Sequence, residues 1–401
     1  MKRAVLFLSF IPLLAWAQAP APLRPPAVPL VTHDPYFSVW SMADRLNAEG
    51  TKHWTGKPNT LTALARVDGR TYRLMGQDPR RIQAMSQTRV EVLPTRTLYE
   101  FAGGGVTIGL AFLTPALPED LDVLSRPLTY VEWTVASADG GEHQAALYFD
   151  AAADLALNTP DEAVTWERIR VDGQPALRLG SREQAVLGRR GDDVRIDWGY
   201  LYLAADRPEG VSDAAMNAGR AREAFSGAGR LPDSDDLSDP TDPRRGAGSS
   251  LAFAIDLGRV GAQPASRYLM LAYDDLYSIE YFQRRERAWW RRNGAGPADL
   301  LRAARRDHDA MAARARRFDD ELMADLRQAG GEGYARRAAL AYRQTLAAHK
   351  LVADADGAAL YFPKENFSNG CIATVDVIYP SAPFTLLFNP QLLKAQLQPV
   401  F

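Results

Sequence analysis

Hydrophobic and polar residues alternate in short runs from Val31 to about Leu257. Alternation places successive side chains on opposite faces of a half-buried strand, so each run predicts a β-strand. Turn-forming sequences such as Asp68-Gly69 separate the runs. We therefore predict a β-sandwich over residues 31–278, alone or with a small N-terminal subdomain. The predicted strands are Leu61–Val67, Thr71–Leu74, Val90–Leu93, Val106–Phe112, Tyr130–Val135, Ala145–Phe149, Val194–Ile196 and Leu201–Ala204.

From about Ile279 the apolar residues recur at helical spacing instead. The order predicts a multidomain chain, β first and then α, with a helical linker over residues 279–330 and the start of a helical domain over residues 331–401. An apolar face continues to Phe401, which predicts that further helices beyond this residue complete the domain. The predicted helices are Tyr281–Arg292, Ala298–Leu326, Tyr334–Val352 and Ser381–Phe401, with a break at Gly330-Gly331.

The first seventeen residues have the pattern of a cleaved export signal. Two basic residues precede the apolar run Ala4–Leu14, and Ala15-Trp16-Ala17 supplies small residues around the cleavage position. We predict a signal peptide at residues 1–17, a Pro/Ala-rich lead-in at residues 18–30, and a secreted or periplasmic protein. The alternative is a buried N-terminal helix.

Composition excludes several classes of function. A formal net charge of −2 and a pI near 6.3 argue against nucleic-acid binding, which usually needs a basic stripe. Cys371 is the only cysteine, so no internal disulfide can form. Scattered histidines and the absence of dinucleotide or P-loop motifs lead us to expect no metal and no cofactor. After the N-terminal segment, no apolar stretch reaches membrane-spanning length.

The densest group of candidate chemistry is the segment YFPKENFSNGCIATVDVIYPSAPF, residues 361–384. A hydrolase needs carboxylates or an activated nucleophile, together with groups that hold the substrate. The alternative is that these polar groups satisfy the backbone of a buried loop. The segment contains the carboxylates Glu365 and Asp376, the cation Lys364, the amides Asn366 and Asn369, the conceivable nucleophiles Ser368 and Cys371, and Tyr379.

Two further clusters combine aromatic and polar residues. His53 and Trp54 follow the aromatic segment HDPYFSVW and suit a wall that binds a sugar or an amino acid, or else the core of a β domain with a satisfied histidine. Asp274 and Asp275 end an apolar run, where they either face a domain junction or cap a following helix.

The motifs HDPYFSVWS, HWTG, LARVDGRTYRLMG, LAYDDLYSIEYF, LAYRQTLAAHK and FPKENFSNGCIATVDVIYPSAPF resemble the fungal-type glutaminase A family and its bacterial relatives. The resemblance spans about residues 33–401. It implies an N-terminal β-sandwich followed by a helical domain similar to the (α/α)6 barrels of six-hairpin glycosidases. Only the first helices of that barrel would lie within this chain.

The resemblance also implies hydrolysis of L-glutamine to L-glutamate and ammonia by an exported enzyme. The resemblance itself assigns no catalytic residue. We predict the catalytic residues at Glu365 and Asp376, within the most characteristic stretch of the family, where a carboxylate would activate water or protonate the leaving amine if the reaction is amide hydrolysis. The predicted substrate-binding residues are Lys364, Asn366, Ser368, Asn369, Tyr379, His53, Trp54, Asp274 and Asp275. The substrate is a small-molecule amide or a glycan. The alternatives are a glycoside hydrolase with paired carboxylates and a non-catalytic fragment.

Overall fold

The computed structural model of the protein describes residues 24–189, 193–236, 246–365 and 370–401. The predicted signal peptide at residues 1–17 lies outside these residues, as do positions 18–23 of the lead-in. The described chain is rich in strands up to Ala288 and mainly helical after it. The predicted order, β first and helices second, is confirmed.

Twenty strands and five α-helices form the described part of the chain. The strands are β1 Val28–Thr32, β2 Ser38–Ser41, β3 Leu61–Val67, β4 Arg70–Met75, β5 Gln83–Ala84, β6 Ser86–Val92, β7 Arg96–Gly103, β8 Val106–Leu113, β9 Leu128–Ser137, β10 His143–Ala152, β11 Val164–Val171, β12 Gln174–Ser181, β13 Tyr200–Ala205, β14 Val211–Asn217, β15 Ser249–Val260, β16 Ala265–Asp274, β17 Ile279–Tyr281, β18 Arg284–Ala288, β19 His349–Ala353 and β20 Ala359–Pro363. The helices are α1 Leu121–Leu124, α2 Ala218–Ala228, α3 Pro297–Ala347, α4 Val375–Phe388 and α5 Pro390–Leu397.

Two large sheets stack face to face. One has six strands in the order β14-β15-β10-β3-β4-β5, and the other has eight in the order β11-β12-β13-β16-β9-β8-β7-β6. All pairings within them are antiparallel except the short β4–β5 pair. Two smaller sheets, β1-β2 and β17-β18-β19-β20, lie beside this sandwich.

The core between the two large sheets follows directly from alternation in the sequence. Along β8, Val106, Ile108 and Leu110 are buried, whereas the residues between them are half-buried. Trp133 of the eight-stranded sheet meets Phe149 of the six-stranded sheet edge to face, with ring centroids 5.8 Å apart. Such an aromatic pair contributes about 0.5–1.5 kcal/mol beyond the area it buries.

A helix covers the outer face of each large sheet. Leu301 and Ala304 of α3 pack on the eight-stranded sheet, where the Tyr130 hydroxyl donates to the Ala304 carbonyl at 2.7 Å. Phe225 of α2 packs on the six-stranded sheet. Asn217 caps the first turn of α2, and Gly229 ends it in a left-handed conformation with φ of 74°.

The helix predicted over Tyr281–Arg292 is wrong. The segment forms the hairpin β17–β18, in which Tyr281 pairs with Arg284, followed by a 3-10 turn at Trp289–Arg291. Phe282 and Gln283 form the two-residue turn with φ of 47° and 64°. Positive φ at both positions matches the right-handed twist of a hairpin. The strand predicted over Val194–Ile196 is also wrong, because these residues form no strand.

Helix α3 confirms the helical pattern predicted after Ala298. It breaks at Gly331, whose φ of 78° and ψ of −179° are not helical, as the Gly330-Gly331 pair predicts. The helix predicted over Tyr334–Val352 is correct only as far as Ala347, and the strand β19 begins at His349. Helices α4 and α5 account for most of Ser381–Phe401. Within the described residues, no helix is both long and apolar enough to span a membrane.

Candidate active site

A cavity of about 380 Å³ lies where the small sheet β1-β2, the end of α3 and the chain after β20 meet. Its position follows from backbone pairing, because the Lys364 amide donates to the Ala348 carbonyl at 3.0 Å and the Glu365 amide donates to the Cys371 carbonyl at 2.9 Å. The cavity is lined by Ala27, Pro35, Trp40, Met42, Trp54, Gln344, Ala347, Ala348, Lys364, Glu365 and Val377. It therefore contains residues from four of the motifs that carry the family resemblance.

Lys364 supplies the positive charge in the cavity wall. Its Nζ donates to the Gly370 carbonyl at 3.0 Å and lies 5.3 Å from the centre of the Tyr36 ring. Burial lowers the pKa of Lys364 to about 8, against a smaller opposing effect of Cys371. The ammonium is thus charged at neutral pH and loses its charge in a mildly alkaline range, unlike an exposed lysine.

Glu365 follows directly in the chain and is half-buried in the same wall. Adjacent opposite charges beside an open volume suit the binding and hydrolysis of a polar substrate.

Two other predicted site residues, Asp376 and Tyr379, do not line this cavity. Asp376 is exposed in the first turn of α4, where a negative charge interacts favourably with the positive end of the helix dipole. Tyr379 is 82% exposed. Asn366, Ser368 and Asn369 lie outside the described residues.

His53 and Trp54 have different roles in the same segment. The buried His53 places Nε2 2.7 Å from the Pro35 carbonyl and Nδ1 3.0 Å from the Thr55 hydroxyl. Burial, assisted by the charge of Arg195, lowers the pKa of His53 to about 3, so its ring is neutral. Trp54 is 38% exposed and forms part of the cavity wall. Thus His53 orients the loop, and Trp54 offers a surface to a ligand.

Asp275 belongs to a buried ionic cluster next to the cavity. Lys350 Nζ lies 2.7 Å from Asp34 Oδ2 and 2.8 Å from Asp275 Oδ2, and no side chain of the three is more than 7% exposed. Asp34 Oδ1 also accepts from the amides of Tyr36 and Phe37, each at 2.9 Å. The cluster fixes the loop that carries Pro35 and Tyr36, and so connects the front of the chain to β19.

The charges in this cluster support one another. Burial alone raises the pKa of the Asp34 carboxyl, but Lys350 and the Phe37 amide outweigh it, and the pKa lies below its ordinary value. Burial likewise disfavours the Lys350 ammonium, yet Asp275 and Asp34 raise its pKa above the ordinary value. Asp34 and Lys350 therefore stay charged at neutral pH. The sequence alone does not predict that Asp34 and Lys350 are partners, although both lie within motifs of the resemblance.

Asp274 faces a different partner from its neighbour. Its carboxylate accepts from Arg291 Nη1 at 2.5 Å and from the Leu276 amide at 3.1 Å. Burial raises the pKa of Asp274 despite this arginine. Neither aspartate caps a helix, because the next element, β17, is a strand. Asp274 lies outside the cavity wall and stabilises the start of the helical half.

Gly199 contacts the backbone of this aspartate pair and provides a test of the packing. An added Cβ would overlap the Asp274 carbonyl oxygen and lie 2.8 Å from Asp275 Cα, at a φ of 79°. We expect Gly199→Ala to lower the free energy of unfolding by about 2–4 kcal/mol, measured by denaturant titration. Gly173→Ala is the matched control, since its φ is 80° and nothing lies within 4 Å. An equal loss in both variants would contradict the expectation.

Models of known families match three successive parts of the chain. A domain of unknown function, DUF4964, matches residues 14–87, a second one, DUF5127, matches residues 95–325, and the glutaminase A six helical-hairpin domain matches residues 331–401. The chain belongs to the glutaminase A family. The predicted resemblance is confirmed.

Curated members of the glutaminase A family align with nearly all of the chain. Glutaminase A of Aspergillus oryzae is 30% identical over 414 residues, which cover 98% of this chain and 59% of the relative. A probable glutaminase of Arthroderma benhamiae is 26% identical over 97% of this chain and 49% of its own length. This chain thus spans about half to three fifths of the length of these relatives.

Solved structures outside the glutaminase A family are more distant. A putative kojibiose phosphorylase from the human microbiome has a TM-score of 0.41 and 7% identity, and the match covers 80% of this chain and 39% of that protein. A galactose mutarotase related enzyme from Lactobacillus acidophilus has a TM-score of 0.28 and 10% identity, with 61% and 97% covered. Neither likeness is close enough to carry an argument.

Proposed function

We propose that the full-length protein is an exported glutaminase-like hydrolase that converts L-glutamine and water to L-glutamate and ammonia. The observation that carries the proposal is the adjacent pair Lys364 and Glu365 in the wall of one cavity, within a chain whose curated relatives are named glutaminases. Export rests on the pattern of residues 1–17, and a mature protein beginning at Gln18 would support it.

The proposed roles follow from charge. The Lys364 ammonium binds the α-carboxylate of glutamine through a charge-assisted hydrogen bond. The Glu365 carboxylate accepts a proton from water as its oxygen attacks the side-chain amide carbon. The proton then passes to the leaving nitrogen, and ammonia departs. Asp376 is the weaker candidate for either step, because it is exposed on α4 and does not line the cavity.

We also propose that the part of α3 after Gly331, together with α4 and α5, belongs to a helical domain of the (α/α)6 type. The support is the family model over residues 331–401, which is named for six helical hairpins. A structure of the full-length protein with helices arranged otherwise would reject this arrangement.

The decisive test of the activity uses the full-length protein. Purified enzyme is incubated with L-glutamine, and ammonia and glutamate are measured against a control without enzyme. Equal amounts of the two products, rising with enzyme concentration, support the proposal. No release above the control rejects it.

A second candidate, glycoside hydrolysis, is favoured by Trp54. Its partly exposed indole lies in the same wall as Glu365, and aromatic rings offer apolar area to sugar faces. In this case the Glu365 side chain would protonate the glycosidic oxygen, as one member of a pair of carboxyl groups. Incubating the protein with a panel of glycans and measuring new reducing ends tests this candidate, and the absence of new ends removes it.

The charge of Lys364 predicts how glutamine binding depends on pH. Since its pKa is lowered to about 8, the ammonium is present below that pH and is lost above it. We expect the KM for L-glutamine to rise about tenfold between about pH 7 and about pH 9, with a smaller change in kcat. The measurement is a KM profile across this range.

Lys364→Arg is the matched variant for this profile. Arginine stays charged throughout the range. The KM of the Lys364→Arg variant is therefore expected not to change with pH above about pH 8, even if it differs from the wild-type KM. Lys364→Met should have a high KM at every pH, which lies above the wild-type value at about pH 7 and approaches it at about pH 9. A wild-type KM that does not change with pH, or an arginine variant that follows the wild type, would contradict the assigned role.

A further inference from the structure

The cavity that holds Lys364 and Glu365 is mostly apolar. Among the residues that the structure describes, Gln344, Lys364 and Glu365 contribute polar side chains to the wall, and the other eight lining residues are apolar. The apolar part includes two tryptophans, Trp40 and Trp54, together with Met42. The Trp40 indole is fixed, because its Nε1 donates to the Ser38 hydroxyl at 2.8 Å. The wall therefore combines a few polar groups with a larger apolar surface, part of which is held in place by this hydrogen bond.

Free glutamine does not match such a wall. It carries a carboxylate, an ammonium and a primary amide, and placing any of them against apolar side chains without a hydrogen-bond partner costs free energy. A volume of about 380 Å³ also falls in the range typical of pockets for larger, drug-sized ligands. The polar lining residues suit the glutamyl group, whereas free glutamine has no apolar group that would pack against the apolar lining residues.

We propose that the preferred substrate is a glutamine-type side-chain amide bearing an apolar or aromatic substituent, which packs against Trp54 and Trp40 while Lys364 and Glu365 engage the glutamyl group. This inference rests on the proposed amide hydrolysis. The substituent is attached either to the leaving nitrogen or to the α-nitrogen, and the shared chemistry is one glutamyl amide with one apolar group.

The reaction balances without a co-reactant. The oxygen of water bonds to the side-chain carbonyl carbon, and the bond from that carbon to nitrogen breaks. The proton released by the water goes to the departing nitrogen. The products are the glutamate moiety and either ammonia or the substituted amine, according to where the substituent is attached.

The test compares three substrates on the full-length enzyme: L-glutamine, the γ-benzylamide of L-glutamate and N-benzoyl-L-glutamine. Benzylamine and ammonia are similarly basic, so the reactivity of the leaving groups is matched. We expect kcat/KM for at least one substituted substrate to exceed that for glutamine by about 10- to 100-fold, since an apolar group in an apolar pocket gives discrimination of that order. The faster of the two shows which nitrogen bears the substituent.

Variants of Trp54 assign the preference to the cavity wall. Trp54→Ala is expected to lower kcat/KM for the preferred substrate at least about tenfold more than for glutamine, and Trp54→Phe to retain most of the preference. Phe282→Ala is the matched control, because Phe282 is an exposed aromatic residue outside the cavity wall. It should leave the ratio of the two kcat/KM values unchanged.

The outcomes separate this inference from the activity on which it rests. Hydrolysis of glutamine with slower hydrolysis of both substituted substrates overturns the inference and leaves the proposed activity intact. Equal losses on both substrates in Trp54→Ala overturn it as well. If no substrate is hydrolysed, the proposed activity and the inference both fail.

Discussion

Replacing Lys350 with methionine is expected to lower the free energy of unfolding by about 3–5 kcal/mol, the usual cost of removing one partner from a buried ion pair. The substitution keeps the length of the side chain but leaves Asp34 and Asp275 as two buried carboxylates without their shared cation. Asp34 keeps its two backbone amide donors, but both carboxylates lose the cation that offsets much of the cost of their dehydration. Denaturant titration monitored by tryptophan fluorescence measures the change.

The pH dependence of that loss distinguishes charge from packing. In the variant, burial and mutual repulsion raise the pKa of each carboxyl above about 4, the value expected in the unfolded chain. A group whose pKa is raised by folding is fully stabilising below the unfolded value and loses this contribution as the pH rises through the folded value. We therefore expect the deficit to be largest at neutral pH and to shrink on acidification.

The control for Lys350 is Lys52, whose pairing with Glu49 is solvent-exposed. Lys52→Met is expected to change stability by less than about 1 kcal/mol, with little dependence on pH. If Lys350→Met were as mild as Lys52→Met, or if its deficit were the same at all pH values, the cluster would not act as described.

The second large effect concerns activity. Glu365→Gln removes the proposed base while keeping the shape of the side chain, and we expect kcat for the amide substrate to fall about 10²- to 10⁴-fold. Stability should hardly change, because the residue is half-buried beside an open cavity. Initial rates of ammonia release by the full-length variant, with its melting temperature as a check on folding, provide the measurement.

Glu321→Gln on the exposed side of α3 is the matched control, since it makes the same chemical change outside the cavity. Its kcat should equal that of the wild type. Asp376→Asn is informative as well, and its exposed position leads us to expect a smaller loss than for Glu365→Gln. A Glu365→Gln enzyme with more than half of the wild-type kcat would show that this carboxylate is not the base.

Alternation in the sequence predicts some strands of the sandwich. The prediction over Val106–Phe112 coincides with all but the last residue of β8, because one face of this strand is buried and most of the other face is half-buried. The rule fails where no such contrast exists. All five residues of β19 are buried, so its sequence has no alternation and reads as the end of a helix.

The hairpin β17–β18 shows a second kind of failure. Two-residue hairpin turns are usually recognised by Asn-Gly or Asp-Gly, which tolerate positive φ. Here Phe282 and Gln283 occupy those positions. The pairing of strands around them, rather than local preference, stabilises the turn, and a single sequence contains no sign of that pairing.

The candidate site was only partly predictable for a related reason. Lys364 and Glu365 stand out as neighbouring charges, and Trp54 as part of an aromatic motif, but their meeting in one cavity depends on folding. Asp34 and Lys350 are separated by 316 positions. Composition and spacing reveal which residues are capable of chemistry, whereas the partners of buried charges follow from the arrangement of the elements.

The long helix α3 restricts where the chains of two homologues can be joined to make a hybrid enzyme. The match to one family model ends at residue 325 and the next begins at residue 331, and both positions fall inside α3. A hybrid enzyme joined there must preserve helical phase, because each inserted or deleted residue turns everything beyond it by about 100° about the axis. Gln344 and Ala347, which face the cavity, would rotate away from it. Viable crossovers between homologues should therefore be those that keep the spacing between the two halves of this helix unchanged.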